Sequence, residues 1–205
     1  MATRRIGYFG YGSLVNRQTL RTRYVDAVRA ELTGFRREWR IRGDTPNGPA
    51  CALTATPDNA SGLQGLLVID TEENLPEVDQ REARYDRVAV PADALTLEQD
   101  HAVDALYVYV AKAVHTGAAD PRFPIRQSYV DAVMQGYRTE FGDAGLERFV
   151  HETYGWDQVV LADRHQPLYP RAVRLSAAEQ DLFDSLLSDV DGFRLVPLSE
   201  EGGSH

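Results

Sequence analysis

The sequence contains little cysteine and no long apolar run. Cys51 is its only cysteine, so an internal disulfide is excluded and nothing favours an oxidising compartment. No stretch is apolar enough to span a bilayer, and residues 1–15 lack the apolar core of a signal peptide. We therefore expect a cytoplasmic protein that does not cross a membrane.

Patterns typical of metal sites are also missing. The sequence has no HExxH motif, and a single cysteine excludes a zinc site built from several thiolates. The five histidines are widely spaced, which is typical of surface residues: His101, His115, His151, His165 and His205. The sequence predicts no bound metal.

Positive charge is scarce. The chain has 22 Lys and Arg against 31 Asp and Glu, a net charge of -9 at pH 7. General nucleic-acid binding requires a basic face that replaces counterions, so we expect no nucleic-acid partner. A small anionic ligand remains compatible with this composition, because local donors decide its binding.

The length and composition predict one globular domain. The 205 residues are 43% hydrophobic and 26% charged, enough to bury a core of their own. There is no internal repeat and no low-complexity linker. We predict a single domain over residues 1–198 and a disordered tail over residues 199–205.

Strand patterns dominate the first part of the chain and helix patterns the last third. "RIGYFGYG" predicts a first strand that runs into a turn, and Asn16 is predicted to cap a short helix. Later strands are predicted near 28–33 and 35–42 and in "ACALTATPD", "LQGLLVID", "DRVAVPA" and "VDALYVYVA". "GDTPNGP" is a turn signal, and "NASG" predicts a hairpin between two of these strands. "NLPEVDQREARY" is predicted to begin as a helix.

Helical periodicity begins near residue 125. Apolar residues recur every fourth position from Ile125 to Phe141, and "SAAE" at 176–179 is a capping box. The first predicted apolar helix face comprises Ile125, Tyr129, Val133, Tyr137 and Phe141 and is continued by Leu146, Phe149, Val150 and Thr153. The second, behind the capping box, comprises Leu182, Phe183, Leu186, Leu187 and Val190. Because strands precede helices, the predicted class is α+β.

The stretch "YFGYGSLVNR", Tyr8 to Arg17, is unusual for its glycines. Glycine-rich turns allow successive backbone N–H groups to point at an anion, and a helix beginning at Asn16 would add its own. A packed strand-to-helix turn explains the pattern equally well. Ser13 lacks the G-x-S-x-G context of a nucleophile, and Cys51 is typical of a small core residue.

Glu82 is distinguished by its neighbours in "VDQREARYDRVAV". It precedes an apolar strand, lies next to Arg81, and is followed by Arg84 and Tyr85. Taken alone, this pattern is typical of a solvated helix end with charged pairs.

The two stretches together resemble the gamma-glutamylcyclotransferase superfamily, and the "R-E" pair is most similar to its ChaC-like branch and bacterial relatives. "LTGFRREWRI" and "GLQGLLVID" also match the order of that family over roughly the first 110 residues. The resemblance implies a small mixed β-barrel, closed or nearly closed, with helices packed outside. It implies intramolecular cyclisation of a γ-glutamyl group to 5-oxoproline, with release of an amine and without a metal or organic cofactor.

The resemblance also implies residue roles. Glu82 matches the family's catalytic acid and base, and backbone N–H groups around residues 11–14 would hold the substrate's α-carboxylate. The implied substrate-binding residues are Tyr8, Phe9, Gly10, Tyr11, Gly12, Ser13, Leu14, Tyr85 and Tyr109. Weaker candidates for the site are Tyr107, Tyr169, Arg37 and Arg40.

Two departures from the family pattern leave the substrate open. Arg84 stands where the ChaC-like branch usually has glycine, and Val15 and Asn16 replace its usual tryptophan. The leaving group can therefore be glutathione-derived, another amino acid or an amine. Alternative functions are removal of a γ-glutamyl group from a biosynthetic intermediate, and a non-catalytic domain that binds γ-glutamyl ligands. The sequence does not predict an oligomeric state.

Overall fold

A long hairpin forms the centre of the protein. The computed structural model describes residues 3–20, 23–98 and 101–198. Strands β2 (Asp26–Thr45) and β3 (Gly48–Thr71) pair antiparallel along almost their whole length, and the predicted turn "GDTPNGP" joins them. The two halves of β3 have different second neighbours: its beginning pairs with β7 (Ile125–Arg126) and its end with β1 (Arg5–Gly10).

The remaining strands extend the sheet from this hairpin. β1 pairs parallel with β6 (Ala105–Ala111), which pairs antiparallel with β4 (Tyr85–Ala89). On the other side, β9 (Val160–Ala162) pairs parallel with β7 and with β10 (Leu195–Pro197). The short strands β5 (Leu95–Leu97) and β8 (Thr153–Tyr154) pair with β2. Within the described ranges, the end strands β4 and β10 do not pair with each other.

In the described part of the chain, three α-helices pack on this mixed sheet: α1 (Leu75–Arg81), α2 (Gln127–His151) and α3 (Ala177–Ser188). The predicted α+β class is confirmed. Helix α2 presents Tyr129, Val133 and Tyr137 to the core, and Gly142 interrupts it with a φ of 70°. Ile125 and Thr153, predicted to lie on its apolar face, lie in β7 and β8 instead. No helix in the described ranges is both long and apolar enough to cross a membrane.

The predicted hairpin at "NASG" is wrong, because β3 passes through these residues without reversing. Between the pairs Thr33–Gly62 and Phe35–Pro57, residues 58–61 of β3 lie opposite Gly34 alone. Asp58 accepts hydrogen bonds from the Ala60 N–H and the Ser61 hydroxyl. The turn-forming residues therefore form a bulge in a continuous strand.

Other local predictions are confirmed. The Ser176 hydroxyl and the Glu179 carboxylate form the capping box of α3. Asn16 caps a helical turn through its side chain, which accepts from the Gln18 N–H, although the turn is only the 3₁₀ segment Arg17–Thr19. The predicted tail, residues 199–205, lies outside the described residues.

Candidate active site

The glycine turn, residues 10–14, connects β1 to the 3₁₀ segment Ser13–Val15. The N–H groups of Val15 and Asn16 donate to the carbonyls of Gly12 and Ser13 within this turn. The N–H groups of Ser13 and Leu14 come first in the segment and have no acceptor among the described residues. The turn thus offers two free backbone donors.

Side chains from β2 and α2 fix the turn from inside the protein. The Tyr11 carbonyl accepts hydrogen bonds from the Arg37 guanidinium at 3.2 Å and from the Tyr137 hydroxyl at 3.0 Å. Arg37 is 1% exposed, packs against the stacked rings of Tyr137 and Phe149, and donates to the Thr153 hydroxyl at 2.8 Å. These bonds orient the peptide that precedes the free N–H groups.

Glu82 follows the last residue of α1. Its N–H donates to the Val78 carbonyl, and its carbonyl accepts from the Tyr85 N–H, which leads the chain into β4. Asp79 holds the helix in place by accepting from the Tyr109 hydroxyl at 2.7 Å and from Arg87 at 2.9 Å. The position of Glu82 is therefore set by α1, β4 and β6 together.

The Glu82 side chain is 15% exposed, and its one close ionic partner among the described residues is Arg81, whose Nε lies 3.0 Å from the Glu82 Oε1. Burial raises the pKa of Glu82 above the ordinary value of 4.5, while the charges of Arg81 and Arg171 oppose the shift. A carboxyl group of this kind changes protonation state closer to neutral pH than an exposed glutamate.

A small cavity brings Glu82 and the glycine turn together. Its volume is about 30 Å³, and it opens beside a larger cavity of about 350 Å³. Both cavities are lined by Ser13, Glu82, Tyr85 and Tyr129. The small cavity is completed by Phe9, Tyr11, Gly12, Leu14, Leu53 and Tyr109.

Two of the predicted substrate-binding residues do not line either cavity. Tyr8 is fully buried and packs edge-on against Tyr109, with ring centroids 6.4 Å apart. A Cβ atom at Gly10 would lie 2.6 Å from the Leu14 Cβ, so this glycine permits the tight turn. Of the weaker candidates, Tyr169 lines the larger cavity, whereas Tyr107, Arg37 and Arg40 line neither.

The arrangement of strands and helices in this protein matches that of solved structures. A structure described as gamma-glutamyl cyclotransferase superposes with a TM-score of 0.57 over 88% of this chain and 99% of that chain, at 14% identity. The chain has the gamma-glutamyl cyclotransferase fold. A human protein described as uncharacterized gives a TM-score of 0.54 at 13% identity, over 88% of this chain and 98% of that chain.

YkqA from Bacillus subtilis shares the gamma-glutamyl cyclotransferase fold of this chain with a TM-score of 0.53 and 18% identity. That match covers 72% of this chain and 53% of YkqA. No protein-family model matches the sequence, and the search of curated proteins gave no significant match. The fold is therefore established by structure and not by sequence similarity.

Sequence reasoning missed several residues that line the cavities of this gamma-glutamyl cyclotransferase fold. Tyr129 was predicted only as part of an apolar helix face, yet it lines both cavities. Its hydroxyl has no hydrogen-bond partner among the described residues, and burial raises its pKa well above 10, so it remains a donor at neutral pH. Arg126 and Arg171 line the larger cavity and carried no sequence signal.

The raised pKa of Glu82 predicts a pH effect on stability. Because the folded chain holds this proton more tightly than the unfolded chain, the resulting stabilisation is full below the ordinary pKa of 4.5 and is lost as pH rises through the raised value. As the pH rises from 4.5 through the raised pKa of Glu82, we therefore expect the free energy of unfolding of the parent to fall relative to that of Glu82→Gln. Urea titrations between about pH 4 and pH 8 measure the difference. A difference that is constant, or that grows in the parent's favour, contradicts the shift.

Proposed function

We propose that this protein is a gamma-glutamylcyclotransferase that converts a γ-glutamyl group to 5-oxoproline and releases an amine. The observation that carries the proposal is the shared cavity of Glu82 and the glycine turn. The reaction needs an anchor for the α-carboxylate and a group that moves protons. The free N–H groups of Ser13 and Leu14 provide the first, and Glu82 provides the second.

The substrate supplies both reacting groups. Its α-nitrogen attacks its own γ-carbonyl carbon, so the protein mainly holds the cyclising conformation. The small cavity alone holds about one water molecule, so the γ-glutamyl group would also occupy the adjoining part of the larger cavity. The free hydroxyl of Tyr129 borders both spaces and is available to donate to the substrate.

Glu82 balances the protons of the reaction. The α-ammonium must lose a proton to become a nucleophile and a second one after the new C–N bond forms. Glu82 accepts these protons in turn and donates them to the departing nitrogen as its C–N bond breaks. The lactam retains one hydrogen, and the amine leaves as an ammonium ion. A carboxyl group with a raised pKa suits both directions of transfer.

A substrate panel tests the proposal. Purified protein should release 5-oxoproline from at least one of glutathione, γ-glutamyl-alanine, γ-glutamyl-cysteine and γ-glutamyl-ε-lysine, measured by chromatography of the product. Failure to release it from any of a broad set of γ-glutamyl amino acids, peptides and amines contradicts the proposal. Binding of 5-oxoproline without turnover would support a non-catalytic domain instead.

A further inference from the structure

The side chains of Arg81 and Glu82 meet although the two residues are adjacent in sequence. Neighbouring residues of an α-helix point in different directions and do not face each other. Glu82, however, follows the last residue of α1 with φ -98° and ψ 32°, outside helical geometry. This departure from the helix allows the Arg81 Nε to lie 3.0 Å from the Glu82 Oε1.

Arg81 is a buried cation that depends on Glu82 for compensation. Its side chain is 9% exposed, and Glu82 is its only carboxylate partner among the described residues. Its Nε and Nη2 have no hydrogen-bond partner there. A buried charge is costly unless an opposite charge compensates it. Protonation of Glu82 would remove that compensation, so Arg81 favours the ionised carboxylate.

A second contact joins Arg81 to the segment that follows the glycine turn. Its Nη1 donates to the Thr19 carbonyl at 3.2 Å. Thr19 is fully buried, and its hydroxyl donates to the Asn16 carbonyl at 2.9 Å and to the Ser13 carbonyl. One guanidinium thus contacts both the acid and the segment that carries the free N–H groups.

The remaining charges around Glu82 are positive. In the part of the chain that the structure describes, Glu82 is the only acid that lines either cavity, and no histidine lines them. Arg171, which follows β9, acts on the Glu82 carboxylate in the same direction as Arg81. Arg84 and Arg126 lie further along the wall of the larger cavity. Asp79, on α1 itself, is bound to Tyr109 and Arg87.

Buried hydroxyl and thiol groups complete the surroundings of Glu82. Burial raises the pKa of the Cys51 thiol to about 12. The Tyr169 hydroxyl accepts from the Arg171 Nε at 3.2 Å. Burial also raises the pKa above 10 for the tyrosines that face Glu82 from the turn, β4, β6 and α2, namely Tyr11, Tyr85, Tyr109 and Tyr129. Between about pH 4 and pH 8, Glu82 is therefore the group of this site that changes charge.

We infer, on the basis of the proposed function, that Arg81 is a positioning residue that fixes the Glu82 carboxylate relative to the glycine turn and keeps it ionised to accept the ammonium proton. The positive charge of Arg81 serves the second role. Its planar guanidinium serves the first, because it reaches Thr19 and Glu82 at once. Lysine keeps the charge but lacks this fork, so the two roles can be separated by substitution.

An NMR titration of the Glu82 carboxyl carbon tests the effect of the charge without requiring turnover. The signal is assigned by its loss in Glu82→Gln. The pKa of Glu82 should be higher in Arg81→Gln than in the parent, because burial then acts with less opposition. In Arg81→Lys it should stay near the parent value. An unchanged pKa in a folded Arg81→Gln protein overturns the inference.

The pH dependence of kcat/KM for 5-oxoproline release tests both roles in the reaction. In Arg81→Gln the acidic limb should move to higher pH, so that kcat/KM on that limb falls about tenfold. In Arg81→Lys the limb should keep its position, while the plateau falls about tenfold because the carboxylate is less well placed. A merely structural role would lower kcat/KM by one factor at every pH and leave the limb where it was.

The control variant is Arg4→Gln, which removes a half-exposed arginine that pairs with Glu72 and lines neither cavity. It should keep the parent pKa of Glu82 and the parent pH profile. An acidic limb that stays in place in Arg81→Gln overturns the inference while the cyclotransferase reaction stands. If no γ-glutamyl substrate yields 5-oxoproline, the proposed function fails, and the NMR titration still decides whether Arg81 keeps Glu82 ionised.

Discussion

Glu82→Gln should reduce 5-oxoproline formation by about 10²–10⁴-fold, the usual contribution of a general acid and base. Glutamine preserves the size of the side chain but cannot accept the ammonium proton or protonate the departing nitrogen. Because an uncharged amide leaves the cavity geometry in place, the loss should appear mainly in kcat. Steady-state kinetics with the best substrate of the panel measure it.

The matched control for this variant is Glu77→Gln, which changes an exposed acid of α1, the helix that ends just before Glu82; Glu77 lines neither cavity. It should retain the parent kcat. If a folded Glu82→Gln protein turns over substrate as fast as the parent, Glu82 is not the group that moves protons, and the mechanism proposed above is wrong.

Gly65→Ala should destabilise the protein by about 3 kcal/mol, near the upper end of the effects of overpacking. A Cβ atom at Gly65 in β3 would lie 2.2 Å from the Gly10 carbonyl oxygen and 2.8 Å from the Phe9 Cζ. The nearer neighbour is backbone and cannot rotate away, so β1 must shift relative to β3. Urea unfolding at a single pH measures the free energy.

A second glycine of the same strand provides the control. At Gly62 the nearest neighbour of an added Cβ is the Glu31 Oε1 at 3.4 Å, the end of a flexible side chain. Gly62→Ala should therefore stay within about 1 kcal/mol of the parent. Because Gly10 opens the glycine turn, we also expect any folded Gly65→Ala protein to lose activity, which Gly62→Ala should keep. Equal stability of the two variants contradicts the close approach of β1 and β3.

Local sequence signals predicted the elements that depend on local chemistry. The capping box of α3 and the cap at Asn16 are formed by residues close in sequence, so their side chains reveal them directly. The "NASG" prediction failed because the same turn-forming residues can make a hairpin or a bulge. The choice depends on pairing with β2, a partner more than twenty residues away at this point.

The residues of the candidate site also differ in whether local sequence signals could identify them. Glu82 and the glycine turn were identified from short motifs, and the structure places them on one cavity. Their catalytic and binding roles remain predictions. Arg126, Arg171 and Tyr129 could not be identified, because each belongs to a segment with an ordinary local pattern and reaches the cavity only through the packing of α2 and the segment that follows β9.

The bonds from Arg37 and Tyr137 to the Tyr11 carbonyl have a consequence for ligand binding. They tie the glycine turn to the same buried side chains that pack α2 on the sheet. A carboxylate arriving at the Ser13 and Leu14 amides would therefore meet donors already oriented, and little conformational entropy would be lost on association. If the turn binds a carboxylate as proposed, the rigidity of the interior would strengthen that binding, because a freely moving loop would bind the same anion more weakly.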